Sequence, residues 1–166
     1  MPLEPNSIAL LLITGYGAIS LFILLGLGLF GIPISDEILL FLAGYLISQG
    51  KLNIIPTEIA VILGTLIGVT VSYFVGYYIN KASHPWLVKF QKKGVSKITR
   101  AKKKFARTGE WSILISYCIP GTHHITAFVV GTLGLPYRKF ALFAYPGAII
   151  WSTIYVFLGF TIHYPF

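Results

Sequence analysis

Twenty-one consecutive residues, Ile59 to Ile79, carry no charge. A helix of that length crosses a hydrocarbon layer of about 30 Å. Lipid offers the backbone no water, so such a stretch must close its own hydrogen bonds as a helix. Pro56-Thr57-Glu58 just before it reads as a helix start, with proline in the first turn and an acid at the positive end of the helix dipole. Gly64, Gly68, Ser72 and Gly76 then recur every four residues, giving one face of small side chains that a second helix can approach closely. Phe140 to Ile162 is a second stretch of this kind, with Gly147 and Gly159, restarting after Pro136-Tyr137-Arg138-Lys139. The fold class expected is therefore all-α and integral to a membrane. Only 11% of residues are charged and 55% are hydrophobic, against roughly 25% charged in soluble domains.

The net charge of +8 is concentrated. Ten of the 13 basic residues lie between Lys81 and Arg107, leaving Lys51, Arg138 and Lys139 elsewhere. A basic block between apolar segments reads as a cytoplasmic loop rather than a nucleic-acid surface. Inside it Val95, Ile98, Ala101 and Phe105 recur at helical spacing, the pattern of an amphipathic helix lying on an anionic leaflet. Met1 to Asn6 holds Glu4 and no Lys or Arg, unlike the start of a cleaved signal peptide, so the first apolar segment is expected to be retained. The single cysteine, Cys118, excludes an internal disulfide.

Two further apolar runs are interrupted by a proline and then by ionisable residues. Ser7 to Phe30, 24 uncharged residues, leads into Gly31-Ile32-Pro33-Ile34-Ser35-Asp36-Glu37 and a short apolar arm, Ile38 to Ser48. Trp111 to Ile119 leads into Pro120-Gly121-Thr122-His123-His124 and the arm Ile125 to Leu135. Arms of about 10–14 residues are too short to span and suggest re-entrant elements; Ser7 to Phe30 could span or fold back. The two runs share a frame. Adding 87 to Pro33, Asp36, Glu37 and Gly44 gives Pro120, His123, His124 and Gly131, and adding 83 to Gly64 and Gly76 gives Gly147 and Gly159. The chain thus reads as one membrane domain made of two halves, about 7–80 and 111–163, around the basic segment 81–110. With that segment inside, the halves are inverted and their hairpins enter from opposite leaflets. Interrupted segments at matching places in two halves are the best sequence pointer to a transporter's binding site.

Asp36, Glu37, His123 and His124 are the residues expected to form that site, because an ionisable group at membrane depth is costly unless paired or used. Tyr117 and Cys118 lie beside them. Carboxylate–imidazole pairs can carry protons or hold a zwitterionic or phosphate headgroup. Both doublets are adjacent in sequence rather than four apart on a helix, so no metal or other cofactor is assigned. Glu58 and Glu110 read as dipole or interface residues, and His84 and His163 as membrane-edge residues. A plain structural clasp between the hairpins is the alternative role for the four. No nucleophile elbow or HExxH spacing accompanies them, so no enzyme is expected.

These stretches resemble the bacterial DedA proteins, also called the VTT or SNARE-associated Golgi domain family. Gly31 to Glu37 with Ala43-Gly44 resembles the family's proline motif ending in an acid. Tyr117-Cys118-Ile119-Pro120-Gly121-Thr122-His123 with Gly131 is similar to its Arg-Phe-Ile-Pro-Gly-x-Arg motif, and Leu135 to Phe140 through Gly147 to Trp151 to its closing pattern. The resemblance covers about Gly28 to Phe160. It implies facing re-entrant hairpins and movement of lipids across the cell membrane: polyprenyl phosphates or phospholipids, with proton coupling in some members. Tyr117 and His123 stand where the motif has arginines. Histidine is a conditional cation where arginine is a permanent one, which leaves room for a phosphatidylethanolamine-like phospholipid. Pro33, Pro120 and Gly121 would shape the breaks, Gly44 and Gly131 would let the hairpins approach, and Arg138 would meet lipid phosphate at the cytoplasmic edge. A second copy of the chain is a candidate partner. The alternatives from other classes are a proton-coupled transporter or channel for a small solute and a non-transporting structural membrane protein.

Overall fold

A computed structural model of the chain describes residues 15–27, 35–81 and 109–162. The expectations for Pro33, for the basic amphipathic segment and for His84 and His163 fall outside them. The described residues form six helices: α1 (Ala18–Gly26), α2 (Asp36–Ser48), α3 (Ile54–Lys81), α4 (Trp111–Ser116), α5 (His123–Thr132) and α6 (Tyr137–Thr161). Ile54–Ile79 of α3 and Tyr137–Thr161 of α6 are long and apolar enough to cross a membrane. Pro56 is the third residue of α3, where its missing N–H would have had no intrahelical partner. α6 stays continuous through Pro146, although proline there forgoes the bond to the Leu142 carbonyl. α1 has nine residues and covers only about 14 Å.

The chain divides into two compact units that do not follow its halves. The first takes the described residues up to Gly68 together with those from Ala148 on, so it holds α1, α2, the start of α3 and the end of α6. α1 packs on α2, and Leu21, Leu25, Leu39, Leu40, Ala43 and Val61 are buried. α1 also meets α3 at Gly64, where a Cβ would lie 2.9 Å from the Phe22 carbonyl oxygen. α2 meets α6 more closely still. A Cβ on Gly44 would strike the Val156 carbonyl and lie 2.8 Å from the Phe160 nitrogen, and one on Gly159 would strike the Phe41 carbonyl.

The second unit, Val69–Gly147, holds the rest of α3, then α4, α5 and the start of α6. Its core is Val69, Tyr73, Ile113, Ala127, Val130, Phe140 and Ala144. The Tyr73 and Phe140 rings stack at 4.7 Å, and the Tyr73 hydroxyl donates to the Leu135 carbonyl at 2.5 Å, so this buried phenol is satisfied. Here α5 meets α3. A Cβ on Gly131 would strike the Tyr73 carbonyl and lie 2.9 Å from the Tyr77 nitrogen, and one on Gly76 would strike the Phe128 carbonyl.

These two contacts repeat each other residue by residue. Phe41 and Gly44 become Phe128 and Gly131 on adding 87, while Tyr73, Gly76 and Tyr77 become Val156, Gly159 and Phe160 on adding 83. In each unit a short helix (α2 or α5) lies backbone to backbone on a long apolar helix contributed by the other half of the chain. Mutual glycines make that approach geometrically available, and where hydrophobic driving force between helices is weak, close packing of this kind carries the association.

Candidate functional site

Each short helix begins with an ionisable doublet. Asp36 is the first residue of α2 and is buried; Glu37 follows it, half-buried. Both stand in the first turn, and the amides of Ile38 and Leu39 bond back to the Ser35 carbonyl. A carboxylate in that position faces the positive end of the α2 dipole, which stabilises it by about 0.3–1 kcal/mol at exposed sites and more when partly buried. The acids are therefore the opening turn of the arm rather than a loop before it.

In the second unit the break runs from Tyr117 to Thr122. α4 ends at Ser116, Gly121 takes φ +70°, and the Thr122 hydroxyl donates to the Ser116 carbonyl at 2.6 Å and to Ile119 at 2.9 Å. Glycine accepts that left-handed backbone at no steric cost, and the hydroxyl covers carbonyls that the interrupted helix leaves open. α4 and α5 pack against each other across this turn. His123 and His124 are the first two residues of α5, so they too stand in the opening turn. Pro120 and Gly121 are exposed, as is Cys118.

The rings at this break form a stack. Tyr117 is buried and lies parallel to His123, with centroids 5.5 Å apart and planes at 15°. His123 is 2% exposed and sits 4.4 Å from the His124 ring. Gly147 of α6 meets the far part of this stack, since a Cβ there would lie 2.6 Å from Tyr117 Cδ2. His124 is held from α3, where Ser72 Oγ lies 2.9 Å from its Nδ1. Tyr117, His123 and His124 are thus brought together within one unit, while Asp36 and Glu37 form the corresponding doublet of the other. Arg138 is exposed at the second position of α6. Its neighbour Lys139 makes an ion pair of 3.0 Å with Glu110, which ties the starts of α4 and α6. Glu58 accepts a hydrogen bond of 2.7 Å from the Thr153 hydroxyl, an α3–α6 contact in the first unit.

Sequence reasoning missed two polar features. Ser72 was visible only as one member of a small-residue stripe; its partner on another helix could not be seen. Tyr145 bonds the Thr70 hydroxyl at 3.0 Å and also the Tyr137 hydroxyl. The available signal was chemical: a tyrosine inside a spanning segment needs a partner for its hydroxyl.

Comparison with known proteins agrees with this architecture. The VTT domain matches residues 32–161, from the first break to the end of α6. The chain belongs to the VTT domain family, the DedA membrane proteins. It is 31% identical over 154 residues to the uncharacterized membrane protein YbfM of Bacillus subtilis, covering 89% of this chain and 91% of that protein. It is 29% identical over 129 residues to the undecaprenyl phosphate transporter A of the same organism, covering 76% of this chain and 64% of that one. An alkaline phosphatase-like protein of Lactococcus lactis (strain IL1403) is 27% identical over 132 residues, covering 76% of this chain and 62% of that protein. The chain thus spans nearly all of YbfM but under two thirds of the other two. No solved structure matches it significantly.

Proposed function

We propose that this VTT protein is a lipid transporter that moves the headgroup of a phospholipid or a polyprenyl phosphate across the cell membrane without catalysing a reaction on it. The observation that carries the reading is the pair of short helices α2 and α5, each opening on an ionisable doublet and each pressed by the same glycine contact onto a long apolar helix. Irregular backbone at membrane depth persists only where protein or a polar cavity covers it, and matched interrupted segments are where transporters of repeated design bind their cargo. The relative named as an undecaprenyl phosphate transporter supports a phosphate-bearing lipid.

In this reading the halves are inverted repeats, α1–α2 and α4–α5 are re-entrant hairpins, and the basic segment 81–110 lies on the cytoplasmic leaflet. Asp36 and Glu37 face any amine on the headgroup. His123, stacked on Tyr117, and His124 face its phosphate and exchange protons with it, and Arg138 receives phosphate at the membrane edge. Histidine in place of arginine makes the phosphate contact conditional on protonation, which favours zwitterionic headgroups alongside polyprenyl phosphate and couples transport to protons.

Reconstitution into liposomes with fluorescent phosphatidylethanolamine, phosphatidylglycerol and a polyprenyl phosphate tests this. Headgroup-selective translocation is expected, lowered tenfold or more by Asp36→Asn and by His123→Ala. Equal rates in wild type and both variants would remove these residues from the transport path.

A further inference from the structure

We propose that Tyr117 is a positioning residue that acts through its ring, holding the plane of the His123 imidazole fixed before cargo arrives. Both rings are buried, with centroids 5.5 Å apart and planes at 15°, within the range of offset-parallel aromatic pairs.

The backbone of the break sets this pair up. Tyr117 continues the last turn of α4: its φ and ψ are helical, −73° and −20°, and its amide bonds to the Leu114 carbonyl at 3.2 Å. The Thr122 hydroxyl donates to the Ser116 carbonyl at 2.6 Å, which pins the residue before His123 to the residue before Tyr117. Gly121, in its left-handed conformation, lets the chain turn sharply enough for that bond to form. The ring pair is thus the next contact along from a short hydrogen bond.

Tyr117 is also wedged from α6. A Cβ on Gly147 would lie 2.6 Å from Tyr117 Cδ2 and 2.9 Å from Cε2, so one edge of the phenol rests on bare helix backbone. On the other side the two imidazoles lie 4.4 Å apart, and Ser72 Oγ on α3 is 2.9 Å from His124 Nδ1. Tyr117, His123 and His124 therefore form a column of three rings propped between α6 and α3, with His123 in the middle. Both the face of Tyr117 on His123 and its edge on Gly147 are made by ring atoms, which is why the role falls to the ring rather than to the hydroxyl.

The consequence for cargo rests on the function proposed above. An imidazole that turns freely about its two side-chain torsions loses that freedom on gripping a headgroup, a loss worth about two- to tenfold in binding. A ring held by Tyr117 has lost it already, on folding.

The test is proton NMR of the full chain in lipid nanodiscs, deuterated except at histidine rings, with His123 assigned by its loss in His123→Gln. The carbon-bound ring protons of wild-type His123 are expected upfield of those in the unfolded chain, because they lie over the face of the phenol. Tyr117→Leu is expected to remove most of that displacement and to slow translocation about two- to tenfold. Tyr117→Phe is expected to restore the displacement and most of the rate. Wild-type His123 signals without the displacement overturn the inference before any variant is made. An unchanged displacement in folded Tyr117→Leu overturns it too, as does a Tyr117→Phe protein as slow as Tyr117→Leu, which would give the role to the hydroxyl. Loss of the displacement in Tyr117→Leu at an undiminished rate upholds the positioning of the ring and counts instead against His123 in the transport path.

Discussion

The contact of α2 on α6 and the contact of α5 on α3 use the same geometry with opposite chemistry. In both, a glycine nine residues into the short helix (Gly44 or Gly131) meets a carbonyl of a spanning helix, and a glycine of the spanning helix (Gly159 or Gly76) meets a phenylalanine carbonyl in return. The packing partners differ freely in side chain: Val156 and Phe160 in one unit stand where Tyr73 and Tyr77 stand in the other. The doublets differ in sign. Acids open α2, where the helix dipole stabilises them, and imidazoles open α5, where a positive charge would gain nothing from it. Backbone contact tolerates wide change in side chains but none at the glycines, so a repeat can keep its architecture while each copy takes its own chemistry.

The sharpest way to break this equivalence is at the glycines. Gly44→Val and Gly131→Val each place carbon against carbonyl oxygens that cannot move without dragging a helix, and overpacking of that kind costs about 1–3 kcal/mol, occasionally more. Both variants are expected to lose most of the folded protein recovered from membranes, and to a similar degree. Full recovery of one alone would show that the contacts are not energetic equals. By contrast, the nearest atoms to a Cβ in Gly147→Ala are those of the Tyr117 ring, at 2.6 Å. A ring can shift where a backbone cannot, so milder destabilisation is expected there, with the His123–Tyr117 stack disturbed and translocation lowered more than stability.

Exchanging the chemistry comes next. Asp36→His combined with His123→Asp moves an acid and an imidazole between the copies. If sign alone mattered the double variant would keep its activity; the dipole and the Tyr117 stack predict that it transports no better than either single change, measured in the same liposomes. Tyr145→Phe removes a hydroxyl bonded to Thr70 and Tyr137, and loss of about 1 kcal/mol in thermal unfolding is expected for it; the matching residue 83 positions earlier, Ile62, has no hydroxyl to lose. The smallest effect belongs to Lys139→Ala. Its 3.0 Å pair with Glu110 joins a lysine side chain that is 60% exposed to a glutamate that is 32% exposed, and such pairs are worth 0 to about 1 kcal/mol and fade with salt. Unfolding curves of wild type and variant should coincide at high salt.

Much of this plan was legible in residues alone. Ile59–Ile79 announced a spanning helix because an uncharged run of that length has few other folds available to it, and Phe140–Ile162 announced another despite Pro146. The second arm, expected to run to Leu135, stops at Thr132: Gly134 takes φ +69° and the Leu135 amide bonds back to Val130, a left-handed helix end that glycine favours. The apolar arms begin at Ile38 and Ile125, but the helices begin two residues earlier, at Asp36 and His123. In α2 and α5 the ionisable pairs are instead the first helical turn, where unsatisfied backbone amides and the dipole make a polar residue welcome.

What the sequence determined by itself was the list of parts: two long apolar helices, two short arms behind breaks, glycines at fixed offsets and one doublet of each kind. Those follow from local rules of hydropathy, period and backbone freedom, which act within a dozen residues. Only the tertiary structure decided which helix each arm lies on, and it chose the spanning helix of the other half in both cases. That choice places Ser72 against His124, residues 52 positions apart. Shape complementarity between distant backbones sets such pairings, and no short stretch of sequence carries that information.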